Sequence, residues 1–176
     1  MPACSLVEFR FDIFTAYNFP ANIKLIISSN LNAKGLVLAK KNSIPFFILK
    51  QRNLRSENKI INEIKKRKID LICLAGYMKI LSKNFLNSFP ESIINIHPSL
   101  LPKFKGLKTY EKILSQNEKK TGCTVHYVNQ KLDSGKIIHR KFFFLDDNEN
   151  IKSLKDKTQK LEHSVYSEAI IKILRN

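Results

Sequence analysis

The sequence of 176 residues is poor in cysteine and glycine and has no long apolar run. Its three cysteines, Cys4, Cys73 and Cys123, are odd in number and widely separated, and this pattern fits neither a disulfide framework nor a zinc ribbon. The longest apolar runs, such as residues 69–78, are broken by charge well short of the roughly 20 residues that span a bilayer. The first five residues lack the charged and apolar regions of a signal peptide. We therefore predict a cytoplasmic protein that has no membrane partner.

Acidic residues are also scarce. The chain has 31 Lys and Arg against 15 Asp and Glu, which gives a net charge of +16. A charge of this sign favours anionic partners such as phosphates or nucleic acids. The basic residues are spread along the chain, however, and form no arginine stripe with interleaved aromatic residues. We interpret most of the excess as solvated surface and expect no nucleic-acid partner, and a non-catalytic nucleic-acid-binding module is the alternative from a different functional class.

The hydrophobic content of 43% is enough for one buried core, and its pattern alternates between strands and helices. Residues 23–27 and 44–49 have strand length, and a polar stretch with helical spacing follows each of them. An amphipathic helix at Ser56 leads into residues 69–75, whose continuous apolar character is typical of a strand in a parallel sheet. Further strands are predicted at 93–97, 124–128 and 137–145, and further helices at 82–87, 109–115 and 150–174. This pattern predicts one α/β domain over residues 1–176, with a Rossmann-like open, mostly parallel sheet and helices on both faces.

The residues best suited to chemistry lie at the end of the strand at 93–97. Asn95 and His97 are two positions apart, so their side chains share one face of the strand. Pro98 forces the chain out of the sheet directly afterwards, at the edge where open α/β sheets bind ligands. An amide donor beside an imidazole is suited to a carbonyl that becomes an oxyanion. The pair therefore indicates acyl transfer.

Asp133 is a candidate third member of this site. It lies in a turn-like segment between two predicted strands, where a carboxylate close to His97 would raise the imidazole pKa. The alternative is an Asx-type turn residue that bonds its own backbone. His126 alternates with apolar strand neighbours and His139 stands between Ile138 and Arg140, and we expect both to be packing or surface residues.

Four motifs in a fixed order resemble those of the phosphoribosylglycinamide formyltransferase family. They are LAGYMKILS at 74–82, NIHPSLLP at 95–102, GCTVHYV at 122–128 and LDSG at 132–135. The resemblance runs from about Ile23 to the C-terminus. It implies the formyltransferase fold and a folate-dependent enzyme of de novo purine biosynthesis that needs no metal. Such an enzyme moves a formyl group from its co-substrate, 10-formyltetrahydrofolate, to the amine of glycinamide ribonucleotide.

The resemblance also implies roles for individual residues, and it implies small molecules as partners. We expect a monomer or a homodimer. Asn95 and protonated His97 would stabilise the tetrahedral intermediate, and Asp133 would keep His97 charged and help to move a proton through bound water. The other implied residues bind ligands. They are Met78, Lys79, Ile80 and Leu81, with Asn95 and Arg55, for the folate, and Gln159 and Glu162 for glycinamide ribonucleotide.

The sequence departs from the family at its beginning. A formyltransferase of this kind should open with an apolar strand and a Gly-x-Gly-x-Asn-like turn that holds the substrate phosphate. The first glycine here is Gly35, and residues 5–9 look like the helix that should follow the turn. We expect that the start lies upstream of Met1, and the alternatives are a decayed gene and a different mode of phosphate binding. A missing start or a decayed gene would leave an enzyme that binds the substrate phosphate weakly.

Two further alternatives follow within formyl-folate chemistry. One is another formyl-folate-using transferase, or a hydrolase, with the same Asn-x-His and Asp residues. A methionyl-tRNA formyltransferase or a formyltetrahydrofolate hydrolase would need a further domain, for which the 176 residues leave no room. The other is an N-terminally truncated folate-binding remnant with weak activity or none.

Overall fold

The computed structural model describes residues 21–49, 53–77 and 79–175. Strands and helices alternate through most of these ranges, as the sequence predicts. In chain order they are β1 (Ile26–Ser28), α1 (Lys34–Lys41), β2 (Phe46–Ile48), α2 (Leu54–Lys66), β3 (Ile72–Leu74), α3 (Lys83–Ser88), β4 (Ile93–His97), α4 (Thr109–Ser115), β5 (Lys120–Tyr127), β6 (Ile137–Phe144) and α5 (Ile151–Leu174). No helix within the described ranges has the length and apolar character to cross a membrane. The chain divides into two compact units, one ending at Ile93 and the other starting at Ile94.

The first unit contains a parallel strand pair, β1 and β2, with Ile26 opposite Phe46. Helix α1 connects the two strands, and its buried face joins Ile26 in a small apolar core. Helix α2 begins after Asn53, whose side-chain oxygen accepts a hydrogen bond from the Ser56 N–H at 2.9 Å. The Ser56 hydroxyl accepts in turn from the Asn53 N–H, and this reciprocal pair satisfies donors at the helix start that have no partner within the helix.

The second unit contains antiparallel pairs, β4 with β5 and β5 with β6. The sequence predicts a mostly parallel sheet and gives no sign of this arrangement. The pairing of β5 with β6 is antiparallel because only residues 128–136 join them, whereas parallel neighbours need a crossover of about a dozen residues or more. In β4, Asn95 therefore lies opposite His126 and His97 opposite Thr124.

Helix α5 covers β5 and β6 and completes the core of the second unit. Leu154, Val165 and Tyr166 are buried on it, and Ile94 and Val125 are buried on the strands. Full burial of one such aliphatic side chain contributes roughly 1.5–3 kcal/mol. The Tyr166 hydroxyl donates to the Ile94 carbonyl at 3.3 Å, which ties α5 to the strand that carries Asn95 and His97.

Candidate active site

One face of the β4–β5 pair carries four polar side chains. Asn95 and His97 share a face of β4, and their cross-strand partners His126 and Thr124 share the same face of β5. Asn95 Oδ1 is buried and accepts no hydrogen bond from the described residues. The Thr124 hydroxyl donates to the Ser99 carbonyl at 2.7 Å, which fixes the chain directly after β4. The face is thus a polar surface inside the unit, and it includes an amide oxygen without a protein partner.

His97 lies between two oxygen atoms. Its Nε2–H donates to the Phe104 carbonyl at 2.8 Å, because the loop of residues 98–108 turns back over the end of β4. Its Nδ1 lies 3.4 Å from Asp133 Oδ2. An imidazole whose two nitrogens both face acceptors has its best hydrogen bonding when both are protonated. These two acceptors therefore favour a positive charge on the ring, whereas its burial, with only 6% exposed, opposes that charge.

The carboxylate of Asp133 is held by groups distant in sequence. Its Oδ2 accepts the Gly106 N–H at 2.8 Å, and its Oδ1 lies 3.6 Å from His126 Nε2. The contact with Gly106 spans 27 residues, so the carboxylate does not act as the Asx-type turn acceptor that the sequence left open. The structure brings Asp133 and His97 together, as the sequence predicts.

Two glycines, Gly106 and Gly135, allow a close approach of the backbone in the loops of residues 98–108 and 128–136. A Cβ on Gly135 would lie 1.7 Å from the Tyr127 carbonyl oxygen, so no other residue fits there without moving the backbone. The loop is closed by the Tyr127 N–H, which donates to the Lys136 carbonyl at 2.9 Å. Gly106 has a φ of +78°, a conformation that favours glycine. Both positions thereby fix where the Asp133 side chain lies.

Burial and charge act in opposite directions on the two titratable groups. Burial lowers the pKa of His97 below its ordinary value, and the Phe104 carbonyl and Asp133 only partly oppose this. The predicted effect of Asp133 on His97 is therefore present but is outweighed by burial. Burial also raises the pKa of Asp133, but His126, the Gly106 N–H and His97 together outweigh it and lower the pKa to about 2. Asp133 is thus ionised at neutral pH.

His126 is a member of this cluster that sequence reasoning missed. It is buried, as a packing residue would be, but its Nε2 faces Asp133. Its Nδ1–H donates to the Tyr127 carbonyl at 2.8 Å, which fixes the ring. The register that places it opposite Asn95 would have revealed its position, but the sequence does not give that register. His139 meets the surface expectation, since it pairs with Glu168 at 2.9 Å on a partly exposed side of β6.

The two residues predicted to bind the nucleotide substrate lie on α5. Gln159 is exposed and Glu162 is half-buried, and their spacing of three places them on one face of the helix. Burial raises the pKa of Glu162 to about 7. Burial also raises the pKa values of Tyr110 and Cys123, and the charge of Glu162 adds to both. Glu162 therefore forms a second titrating centre in the same unit as His97.

The predicted folate-binding residues outside β4 belong to the first unit. Arg55 is exposed in the first turn of α2, Lys79 and Ile80 are exposed, and Leu81 is buried. Met78 and the region of the expected phosphate turn lie outside the described residues, so the corresponding expectations stay predictions. Within the described ranges, no group of three or more His, Cys, Asp or Glu side chains is arranged to hold a metal ion.

The chain is similar to known proteins over most of its length. Residues 11–170 match the family model described as formyl transferase. Phosphoribosylglycinamide formyltransferase of Haemophilus influenzae is 37% identical over 153 residues, which cover 85% of this chain and 72% of the relative. The trifunctional purine biosynthetic protein adenosine-3 of Chironomus tentans is 32% identical, and this chain spans only 11% of it. The crystal structure of phosphoribosylglycinamide formyltransferase from Bacillus halodurans is 33% identical with a TM-score of 0.82, over 89% of this chain and 82% of that one.

The chain belongs to the formyl transferase family. The predicted formyltransferase fold is confirmed.

Proposed function

We propose that this protein transfers the formyl group of 10-formyltetrahydrofolate to the amine of glycinamide ribonucleotide in de novo purine biosynthesis. The observation that carries the proposal is the position of the Asp133 carboxylate, 3.4 Å from Nδ1 of His97, which shares a strand face with Asn95 in a member of the formyl transferase family. Relatives at 32–37% identity bear the name phosphoribosylglycinamide formyltransferase. Enzymes of that name use 10-formyltetrahydrofolate as co-substrate.

The reaction needs donors directed at the formyl oxygen. The substrate amine attacks the formyl carbon, and the carbonyl oxygen becomes an oxyanion in a tetrahedral intermediate. The Asn95 amide and a His97 N–H are the donors that we assign to this oxygen. The donor of Asn95 is its Nδ2–H group, whereas its buried Oδ1 has no partner among the described residues and is free to accept an N–H of the attacking amine. His97 Nε2–H now binds the Phe104 carbonyl, so we expect it to exchange that carbonyl for the formyl oxygen when substrate binds.

Proton balance defines the role of Asp133. The attacking amine loses a proton, and the folate nitrogen gains one as its bond to the formyl carbon breaks. A carboxylate with a pKa of about 2 is a weak base at neutral pH. We therefore assign Asp133 mainly to stabilising the protonated state of His97, and only secondarily to moving the proton through bound water.

The ligand-binding residues complete the proposal. We assign the pterin ring to backbone groups of residues 78–81, with Asn95 and Arg55 as further folate contacts. Ile80 is 75% exposed, which leaves an apolar side chain available to a planar ring. We assign glycinamide ribonucleotide to Gln159 and Glu162 on α5. We place the enzyme in the cytoplasm as a monomer or homodimer.

A formyl-transfer assay with three acceptor conditions tests this function. The protein is incubated with 10-formyltetrahydrofolate and glycinamide ribonucleotide, with a different acceptor such as methionyl-tRNA, or with no acceptor, and products are identified by mass spectrometry. We expect formylglycinamide ribonucleotide in the first condition only. Deformylation without an acceptor would instead show a hydrolase. Folate binding by calorimetry without turnover in any condition would show an inactive remnant.

A further inference from the structure

Lys105 lies in the chain between two residues whose backbone groups form hydrogen bonds to His97 and Asp133. The carbonyl of the preceding residue, Phe104, accepts the hydrogen bond from His97, and the N–H of the following residue, Gly106, donates to Asp133. The Lys105 side chain also reaches the loop that carries Asp133, because its Nζ donates to the Ser134 hydroxyl at 2.6 Å. The side chain thus reaches the residue directly after Asp133.

These contacts join two loops by two hydrogen bonds at adjacent positions. One runs from Lys105 to Ser134 and the other from Gly106 to Asp133. Ser134 also donates to the Leu132 carbonyl at 2.8 Å, and the Lys105 carbonyl accepts from Lys112 at 3.1 Å. The Ser134 hydroxyl is therefore fixed within its own loop, and the Lys105 backbone is fixed by helix α4.

The backbone at Asp133 is supported by contacts from the other loop. Its φ of 45° lies in the left-handed region, which residues other than glycine occupy less often, although Asp adopts it more readily than most. Surrounding contacts stabilise such a conformation. The Gly106 N–H holds the carboxylate, and the Lys105 ammonium holds the neighbouring residue.

We propose that Lys105 is a positioning residue, which holds the Asp133 carboxylate against His97 by binding Ser134. The inference rests on the proposed formyl transfer for its kinetic consequence. Lys105 is exposed, and an exposed polar contact adds little to the free energy of unfolding. Its loss should therefore affect the geometry of the site rather than the fold.

A double-mutant cycle tests the contact, with Lys105→Met, Ser134→Ala and the combined variant. We expect each single change to lower kcat about five- to tenfold with a smaller effect on KM, and the combined variant to be no worse than either single one. Lys105→Arg, which keeps a charged donor, should recover most of the lost rate. The matched control is Lys103→Met in the same loop, because Lys103 pairs with Glu118 at 2.7 Å. We expect the control to keep the parent rate.

A titration of His97 by NMR reports on the same contact without an assay. Ser134→Ala changes no charge, so any movement of the Asp133 carboxylate away from His97 should appear as a fall in the His97 pKa. The proposal would be overturned if the loss of rate in the combined variant equalled the product of the two single losses. It would also be overturned if Lys105→Met had the same rate as the Lys103→Met control. If the parent protein does not formylate glycinamide ribonucleotide, the proposed function fails. The titration alone then tests the positioning role of Lys105, and an unchanged His97 pKa in Ser134→Ala rejects that role.

Discussion

His97 shows how a single residue is tuned by opposed effects. Burial favours its neutral form, whereas the Phe104 carbonyl and the Asp133 charge favour the imidazolium, and the result is a pKa below 6.5. Because the folded state then binds fewer protons than the unfolded state, the contribution of this group to stability is fully present above about pH 6.5. It is lost as the pH falls through the folded-state pKa. A substrate oxyanion beside the ring would add a negative charge and shift the balance towards the protonated form.

The first prediction concerns the charge on Asp133. In Asp133→Asn the carboxylate that favours the imidazolium is replaced by a neutral amide, so the His97 pKa should fall further below its ordinary value. Histidine titration by NMR measures this shift. The exposed Asp147→Asn provides a control with the same loss of charge. An unchanged His97 pKa in Asp133→Asn would remove Asp133 from the catalytic set.

The second prediction concerns Glu162. Its pKa of about 7 means that the carboxylate ionises across the neutral range, so glycinamide ribonucleotide binding through this group should strengthen as the pH rises through 7. Glu162→Gln should remove this pH dependence of KM.

The raised pKa of Glu162 also affects stability. The folded parent should lose stability as the pH rises from about 4.5 to 7, by about 3 kcal/mol at most, and Glu162→Gln should not. Steady-state kinetics at pH 6 and pH 8, and chemical denaturation from about pH 4.5 to pH 8, measure the two effects. A KM that keeps the parental pH dependence in Glu162→Gln would contradict the assignment.

The loop between β5 and β6 determines where Asp133 lies. Gly135 is the tightest point of that loop, because an added Cβ would meet the Tyr127 carbonyl oxygen at 1.7 Å. The third prediction is that Gly135→Ala displaces the loop and lowers kcat on the order of 10²-fold, since a shift of about 1 Å in a catalytic group costs that much. The control is Lys131→Ala, at an exposed position of the same loop. Equal rates for the two variants would show that the close approach at Gly135 does not position Asp133.

The elements differ in how well the sequence predicts them. Strand β4 and helix α4 have their predicted bounds, 93–97 and 109–115, because prolines and a glycine border these segments. Strand β5 begins at Lys120 rather than at 124, since pairing with β6 places Lys120 opposite Phe144. That extension depends on a cross-strand partner and not on the local apolar pattern.

The candidate site is predictable only in part for the same reason. Spacing and motif resemblance single out Asn95, His97 and Asp133, and their catalytic roles stay predictions. The roles of His126 and Lys105 depend on strand register and loop geometry, which no local pattern in the sequence records. The Phe104 carbonyl and the Gly106 N–H are backbone groups, and residue type says nothing about where they point.

At the scale of the whole molecule, the proposed catalytic set lies within the second unit. Asn95, His97 and Asp133 all follow Ile94, whereas Arg55 and residues 78–81, the predicted folate contacts, precede it. The net charge of +16 is suited to attracting a phosphorylated substrate to either unit. The organisation as a single domain stays a prediction.

The most direct test of the proposed function compares the parent protein with His97→Ala in the transfer of formyl from 10-formyltetrahydrofolate to glycinamide ribonucleotide. His97→Ala removes the N–H donor and the imidazolium that a substrate oxyanion favours, so we predict a fall in kcat of about 10²–10³-fold. Circular dichroism should show an intact fold, and His139→Ala, at the surface pair with Glu168, should keep the parent rate. A His97→Ala rate within about threefold of the parent would contradict the assignment of this site to formyl transfer.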